Sequence, residues 1–159
     1  MNSASTPSAL TLRQAGWGEL DQVMEVMTAA FDPSFGEAWT RAQCGGILPM
    51  SGVSMTLAQD SGPPLGFSLA RQVADEAELL LLAVSPGARG RGVGASLLCR
   101  FIDAGRDARL NKLHLEVRDG NPAVNLYRHH GFAVEGRRPK YYKGPGGQFY
   151  DALTMVRFI

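Results

Sequence analysis

The chain has 159 residues, 45% of them hydrophobic and 19% charged, with a formal net charge of +1. That length suits one domain with a two-layer core, and the near-neutral charge excludes a chain drawn as a whole to nucleic acid. Two cysteines, Cys44 and Cys99, exclude a disulfide scaffold and are expected as buried, reduced thiols.

Residues 1–9 (MNSASTPSA) are small, polar and proline-bearing, as expected of a loose tail, and residues 10–159 are expected to form a single domain. No basic segment followed by an apolar stretch opens the chain, and no window is apolar enough to span a bilayer, so a cytoplasmic protein is expected. LTLRQA alternates like a short strand. GELDQVMEVMTAAF then sets Leu20, Val23, Met24, Met27 and Phe31 at helical spacing, which predicts one buried stripe. WTRAQCGGIL predicts a short second helix frayed by Gly45 and Gly46. VSMTLA and LGFSLARQV flank the turn QDSGPP as a hairpin.

ELLLLAV reads as a central strand covered on both faces. SPGARGRGVGASLL follows at once, and Val93, Leu97, Leu98, Phe101 and Ile102 mark a helix starting within it. KLHLEV places Leu113, Leu115 and Val117 on one face and His114 and Glu116 on the other. Asn121 and Pro122 predict a helix start for PAVNLYRHH, which Gly131 ends. FAVEGRRPKYY and FYDALTMVRF, joined by KGPGGQ, are the last two strands. The order predicts a mixed α/β sheet covered by helices.

A strand running straight into a helix presents unpaired amides and the positive end of the helix dipole, a ready anion site. Gly90, Gly92 and Gly94 would let a diphosphate approach the backbone, and Arg89 and Arg91 would add charge-assisted hydrogen bonds. A flexible turn with solvated arginines is the plain alternative. The stretch lacks the G-K-[ST] of a Walker loop and fits a dinucleotide fingerprint poorly.

Arg89-Gly90-Arg91-Gly92-Val93-Gly94 resembles the Q/R-x-x-G-x-G/A signature of the GNAT superfamily of N-acetyltransferases, and LHLEVRDGNPAVNLYRHHGF resembles its fifth strand and fourth helix. Trp39, the tetrapeptide Leu115-Glu116-Val117-Arg118 and the ending GRRPKYY...DALTM are similar to the bacterial members that acetylate the N-terminal alanine of a small-subunit ribosomal protein. Against those members the Asn121–Tyr127 interval is about one residue shorter and GRRPKYY about one longer, both near the acceptor site. The resemblance implies a GNAT fold: a mixed, mostly antiparallel sheet of about six to seven strands with about four helices, and acetyl-CoA in the splay between central strands.

It also implies acetyl transfer from acetyl-CoA to an amine by direct attack in a ternary complex, with no metal. The implied acceptor is the N terminus of a protein, possibly ribosomal. A small amine, polyamine or antibiotic is the alternative, and an acetyl-CoA-binding module without turnover a further one. Nucleic acid and membrane are not expected partners. Leu82, Ala83, Val84, Arg89, Gly90, Arg91, Gly92, Val93, Gly94, Ala95 and Ser96 would bind the donor, the strand residues pairing with the pantetheine arm and the amides of Arg91 through Ala95 surrounding the pyrophosphate, and Asn121 would touch the arm. Glu116 falls on the general base, or is a strand residue paired with Arg118; Glu76 and, more strongly, Glu78 are its rivals. Tyr127 falls on the general acid, or is a core aromatic, and is also counted among the donor-binding residues. Trp39, Glu78, Tyr141 and Tyr142 would wall the acceptor site, although Trp39 could equally anchor the core and the tyrosines belong to a basic hairpin. His114, His129 and His130 read as structural or surface residues.

Overall fold

A computed structural model describes residues 9–159; residues 1–8 of the expected tail lie outside the described residues. Among the described residues, seven strands form one sheet in the order β1-β2-β3-β4-β5-β7-β6. They are β1 (Thr11–Ala15), β2 (Val53–Gln59), β3 (Pro64–Val73), β4 (Glu76–Val84), β5 (Lys112–Arg118), β6 (Ala133–Lys143) and β7 (Phe149–Phe158). Only β4 and β5 pair in parallel. Helices α1 (Leu20–Ala30) and α2 (Arg41–Ile47) cover the front face, and α3 (Val93–Asp107) and α4 (Ala123–His129) the back. The element order and the mixed sheet are those expected.

Several local expectations shift. The buried stripe of α1 is Leu20, Val23, Val26 and Met27, with Met24 and Phe31 only partly buried. Helix α2 runs through Gly45 and Gly46 instead of fraying. A capping box starts it: Thr40 Oγ1 accepts from the Gln43 amide at 3.1 Å, and Gln43 Oε1 accepts from the Thr40 amide at 2.7 Å. Gly45 is then buried beside Leu20 of α1, which offsets its weak helix propensity. Cys44 is buried as expected, but Cys99 is exposed, because it falls just off the Leu97, Leu98, Phe101 and Ile102 stripe of α3.

The feature that shapes the site is a bulge in β4. Leu69 of β3 pairs with Leu81 and Ala70 with Leu79, so Leu80 has no opposite number. The extra residue reverses the strand's faces. Ala77 and Leu79 pack in the back core, whereas Leu81 and Ala83 pack in the front core with Val23, Met27 and Phe67. This is how an almost unbroken apolar run is covered on both sides, as the sequence predicts. The parallel pairing of β4 with β5 also stops at Leu79 and Leu115, and beyond that pair the strands part.

A second constraint holds the α1–α2 connection against the β6–β7 hairpin. Gly36 has φ of +68°, and a β-carbon there would sit 2.0 Å from the Lys143 carbonyl oxygen. Gly36→Ala is expected to destabilise the protein by about 1–3 kcal/mol from backbone strain alone, with the clash adding to it. Urea unfolding checks this, and a loss confined to a few tenths would show the connection to be looser than described.

Candidate active site

Two cavities open where β4 and β5 part. The larger, a cleft of about 590 Å³, is lined by Leu82, Ala83 and Val84 of β4, by Arg89, Gly90 and Gly94, and by Asn121, Ala123 and Leu126 across the gap. The smaller, a slot, is walled by Phe31, Trp39, Tyr141 and Tyr142 and carries Glu37, Glu78, Glu116 and Tyr127. Leu82, Asn121 and Ala123 line both, so the two cavities meet at the splay.

At the outer end of the cleft the chain enters α3 through Gly90 and Gly92, at φ of +78° and +77°. Both left-handed residues have open space where a β-carbon would be, so the backbone of the turn is open to close approach there. The third glycine serves packing instead. A β-carbon at Gly94 would meet Leu126 at 3.4 Å and Val84 at 3.5 Å, so its absence lets α3 lie close to α4 and β4. Ser96 gives its amide to the Gly92 carbonyl at 3.0 Å, which leaves the amides of Val93, Gly94 and Ala95 as the free donors of the first turn. The arginines are held by protein partners. Arg89 donates to the Ala30 carbonyl at the end of α1 at 3.0 Å, and Arg91 pairs with Asp60 of the β2–β3 turn at 3.2 Å. Arg89 still lines the cleft, while Arg91 does not. Of this turn, Arg89, Gly90 and Gly94 line the cleft, whereas Gly92, Val93 and Ala95 line an adjoining depression that shares Val84, Arg89, Gly90, Gly94 and Leu126 with it.

In the slot, Glu116 is fixed from two sides. Arg138 Nε lies 2.9 Å from one carboxylate oxygen and Thr154 Oγ1 donates to the other at 2.7 Å. Its side chain is only 9% exposed while that of Arg138 is 62% exposed. The partner anticipated from spacing, Arg118, pairs elsewhere. Glu78 stands on the same face of the sheet, and among the described residues it has no hydrogen bond or ion pair. Burial raises its carboxyl pKa, an effect that His114 opposes and Glu116 reinforces. Glu76 lies farther out, 3.8 Å from His114, in a polar groove that Glu78 and Glu116 also line.

Tyr127 is the core aromatic that the sequence allowed, and its position also borders the slot. It is buried in the back core, edge-on to Phe132. Burial, and then the nearby Glu37 carboxylate, push its phenol well above the ordinary tyrosine range, so it keeps its proton. Adjacent residues of a regular strand face opposite ways, yet Tyr141 and Tyr142 both line the slot. Strand β6 is broken there: four steps from Arg138 to Tyr142 match two from Ala152 to Tyr150, with Lys140 at φ of +55°. Tyr142 then donates to the Glu116 carbonyl at 3.3 Å, and its ring meets Tyr141 edge-on at 4.9 Å. Trp39 is partly buried against the front core and also lines the slot.

The residue not anticipated is Glu37. Arg118 Nε donates to one of its oxygens at 3.0 Å and Asn121 Nδ2 to the other at 2.9 Å. Asn121 Oδ1 accepts from the Ala123 amide at 2.9 Å in a turn just ahead of α4, whose N-cap is Pro122 and not Asn121 as expected. The only local signal for Glu37 is a lone carboxylate between Phe35 and Trp39; its partners lie 81 and 84 residues away.

A parallel strand pair thus splays over a cleft, with a glycine turn leading into the following helix beside it. The acetyltransferase (GNAT) family model matches residues 20–132, and the chain belongs to that family. It is 35% identical over 95 residues to the [ribosomal protein bS18]-alanine N-acetyltransferase of Haemophilus influenzae, covering 60% of this chain and 65% of that protein. It is 37% identical over 105 residues to N-alpha-acetyltransferase RimI of Mycobacterium tuberculosis, covering 63% of each. The matched stretches thus span somewhat less than two thirds of these relatives. The crystal structure of the ribosomal-protein-S18-alanine N-acetyltransferase from Escherichia coli superposes with a TM-score of 0.85 at 26% identity, covering 95% of this chain and 94% of that one. No helix of the described residues is long and apolar enough to cross a membrane.

Proposed function

We propose that the protein transfers the acetyl group of acetyl-CoA to the α-amino group of a protein N terminus, with an alanine N terminus of a ribosomal protein as the leading acceptor. The observation that carries this reading is the meeting of cleft and slot at the β4–β5 splay, where Glu116 and Tyr127 line the same small space. The similarity to alanine N-acetyltransferases supports the choice of acceptor.

In this reading the amides around Gly90 and Gly92 hold the pyrophosphate, and Leu82, Ala83 and Val84 offer strand backbone to the pantetheine arm. Glu116, oriented by Thr154 and Arg138, takes the proton from the acceptor ammonium. The freed nitrogen lone pair attacks the thioester carbonyl, the C–S bond breaks, Tyr127 gives its proton to the departing sulfur, and the new amide nitrogen sheds its second proton, which through solvent restores the Tyr127 phenol. An α-amino group has a pKa of about 7.7–8.0 against about 10.4 for lysine, so a carboxylate suffices as base. Glu78 adds a second carboxylate facing the cationic acceptor, and Trp39, Tyr141 and Tyr142 enclose it. Both proposed substrates are made in the cytoplasm, which is where the enzyme would act.

The test offers the protein acetyl-CoA with peptides beginning in alanine, serine or methionine, and with polyamines, following CoA release. Turnover is expected on peptides, highest with alanine. Turnover on small amines alone would transfer the reading to a small-molecule acetyltransferase, and tight acetyl-CoA binding without turnover would favour a binding module.

A further inference from the structure

The buried ion pair between Glu37 and Arg118 stands where the two cavities meet, and neither step of the proposed transfer uses it. The two side chains are 9% and 11% exposed. The Arg118 guanidinium lies 3.6 Å from the Phe35 ring centroid, and that ring meets Tyr150 of β7 edge-on at 5.2 Å. Well-packed apolar residues often serve stability as well as a buried ion pair, so packing alone does not explain charges here. Geometry does. An apolar contact can slide, whereas directional charge-assisted bonds to both oxygens of one carboxylate fix its position. Glu37 belongs to the connection that brings Phe31 and Trp39 to the slot; Arg118 ends the strand that carries Glu116, and Asn121 lies just ahead of the helix that carries Tyr127.

We propose that Glu37 is a positioning residue for the acceptor: its bonds to Arg118 and Asn121 latch the slot wall, residues 31–40, onto the elements that bear Glu116 and Tyr127. The proposal rests on the acetyl-transfer reading above, and it concerns the acceptor side of that reaction. Loss of the latch should loosen the wall and weaken acceptor binding more than donor binding, because residues 31–37 also border the cleft but β4 and the glycine turn line it from the other side.

Hydrogen exchange and steady-state kinetics on the full chain test it. In Glu37→Ala, amide exchange across residues 31–40 is expected to quicken about tenfold or more with α3 unchanged, in protein alone and without any acceptor. The acceptor KM is expected to rise about tenfold, with kcat and the acetyl-CoA dissociation constant within about threefold of the parent. Glu37→Gln still accepts a bond from Arg118 and should fall between the two. Phe35→Leu keeps both charges but uncovers the guanidinium, and a rise of about threefold in the same exchange is expected, which carries the test should Glu37→Ala fail to fold. Unchanged exchange in residues 31–40, or an acetyl-CoA KM that rises as far as the acceptor KM, overturns the latch. If the parent enzyme acetylates no N terminus, the reading of function fails, and the exchange arm still decides the latch.

Discussion

Glu116→Gln is expected to lower kcat/KM for an alanine-initiated peptide about 100-fold near pH 6.5, or roughly 2.7 kcal/mol of transition-state stabilisation. The sign of its pH dependence follows from the acceptor. Below about pH 7.7 most of an α-amine is ammonium and must lose a proton before it can attack, whereas above about pH 9 the amine is already neutral. The defect should therefore shrink as pH rises, and a loss that is constant across pH would reject Glu116 as the base. The fold should survive the change. Glutamine can still accept from Thr154, and the mostly exposed Arg138 can turn into solvent, so stability should move by no more than about 1 kcal/mol. Glu78→Gln is the control. Burial raises its carboxyl pKa, which favours proton uptake, but among the described residues no partner orients its side chain as Thr154 and Arg138 orient Glu116. A larger loss in Glu78→Gln than in Glu116→Gln would reverse the two assignments.

Tyr127→Phe is expected to reduce kcat about 100-fold while the acetyl-CoA dissociation constant stays within about twofold, because only the proton for the departing sulfur is removed. The ring itself remains in the back core against Phe132, so folding is preserved. In the parent enzyme the phenol is held protonated above its usual range, by burial first and then by Glu37. Its loss as an acid should not appear as an alkaline limb below about pH 10, the ordinary tyrosine pKa. Full activity in Tyr127→Phe, measured by CoA release, would exclude the acid role.

The parts of this site that were legible in the sequence are those encoded locally. The two-residue alternation of KLHLEV puts Leu113, Leu115 and Val117 in the back core and turns Glu116 to the front. Gly90 and Gly92 mark a turn only glycine adopts readily, and Asn121 marks the turn just ahead of a helix. What stayed hidden depends on distant partners or on breaks in the pattern. Nothing in four consecutive leucines, Leu79 to Leu82, says that Leu80 is bulged and the faces exchanged, because every register of an all-apolar run looks alike. The pairing of Arg118 with Glu37 instead of Glu116 requires the α1–α2 connection to fold back over β5, which no spacing within either segment predicts. Arg89 and Arg91 read as ligands of an anion, and one is anchored on α1 and the other on Asp60, since a guanidinium's partner is chosen by the fold around it. FAVEGRRPKYY reads as one unbroken strand, and its alternation does not say that β6 is interrupted between Arg138 and Tyr142 or that both tyrosines line one slot.

The central claim is that cleft and slot join acetyl-CoA to a peptide α-amine. Its most direct test is the site of acetylation on an alanine-initiated peptide that also contains one lysine, read by fragment mass after incubation with acetyl-CoA. Acetylation is expected at the α-nitrogen of the alanine, with the lysine untouched. Acetyl on the lysine side chain, or an unmodified peptide under conditions where the enzyme turns over a small amine, would contradict it.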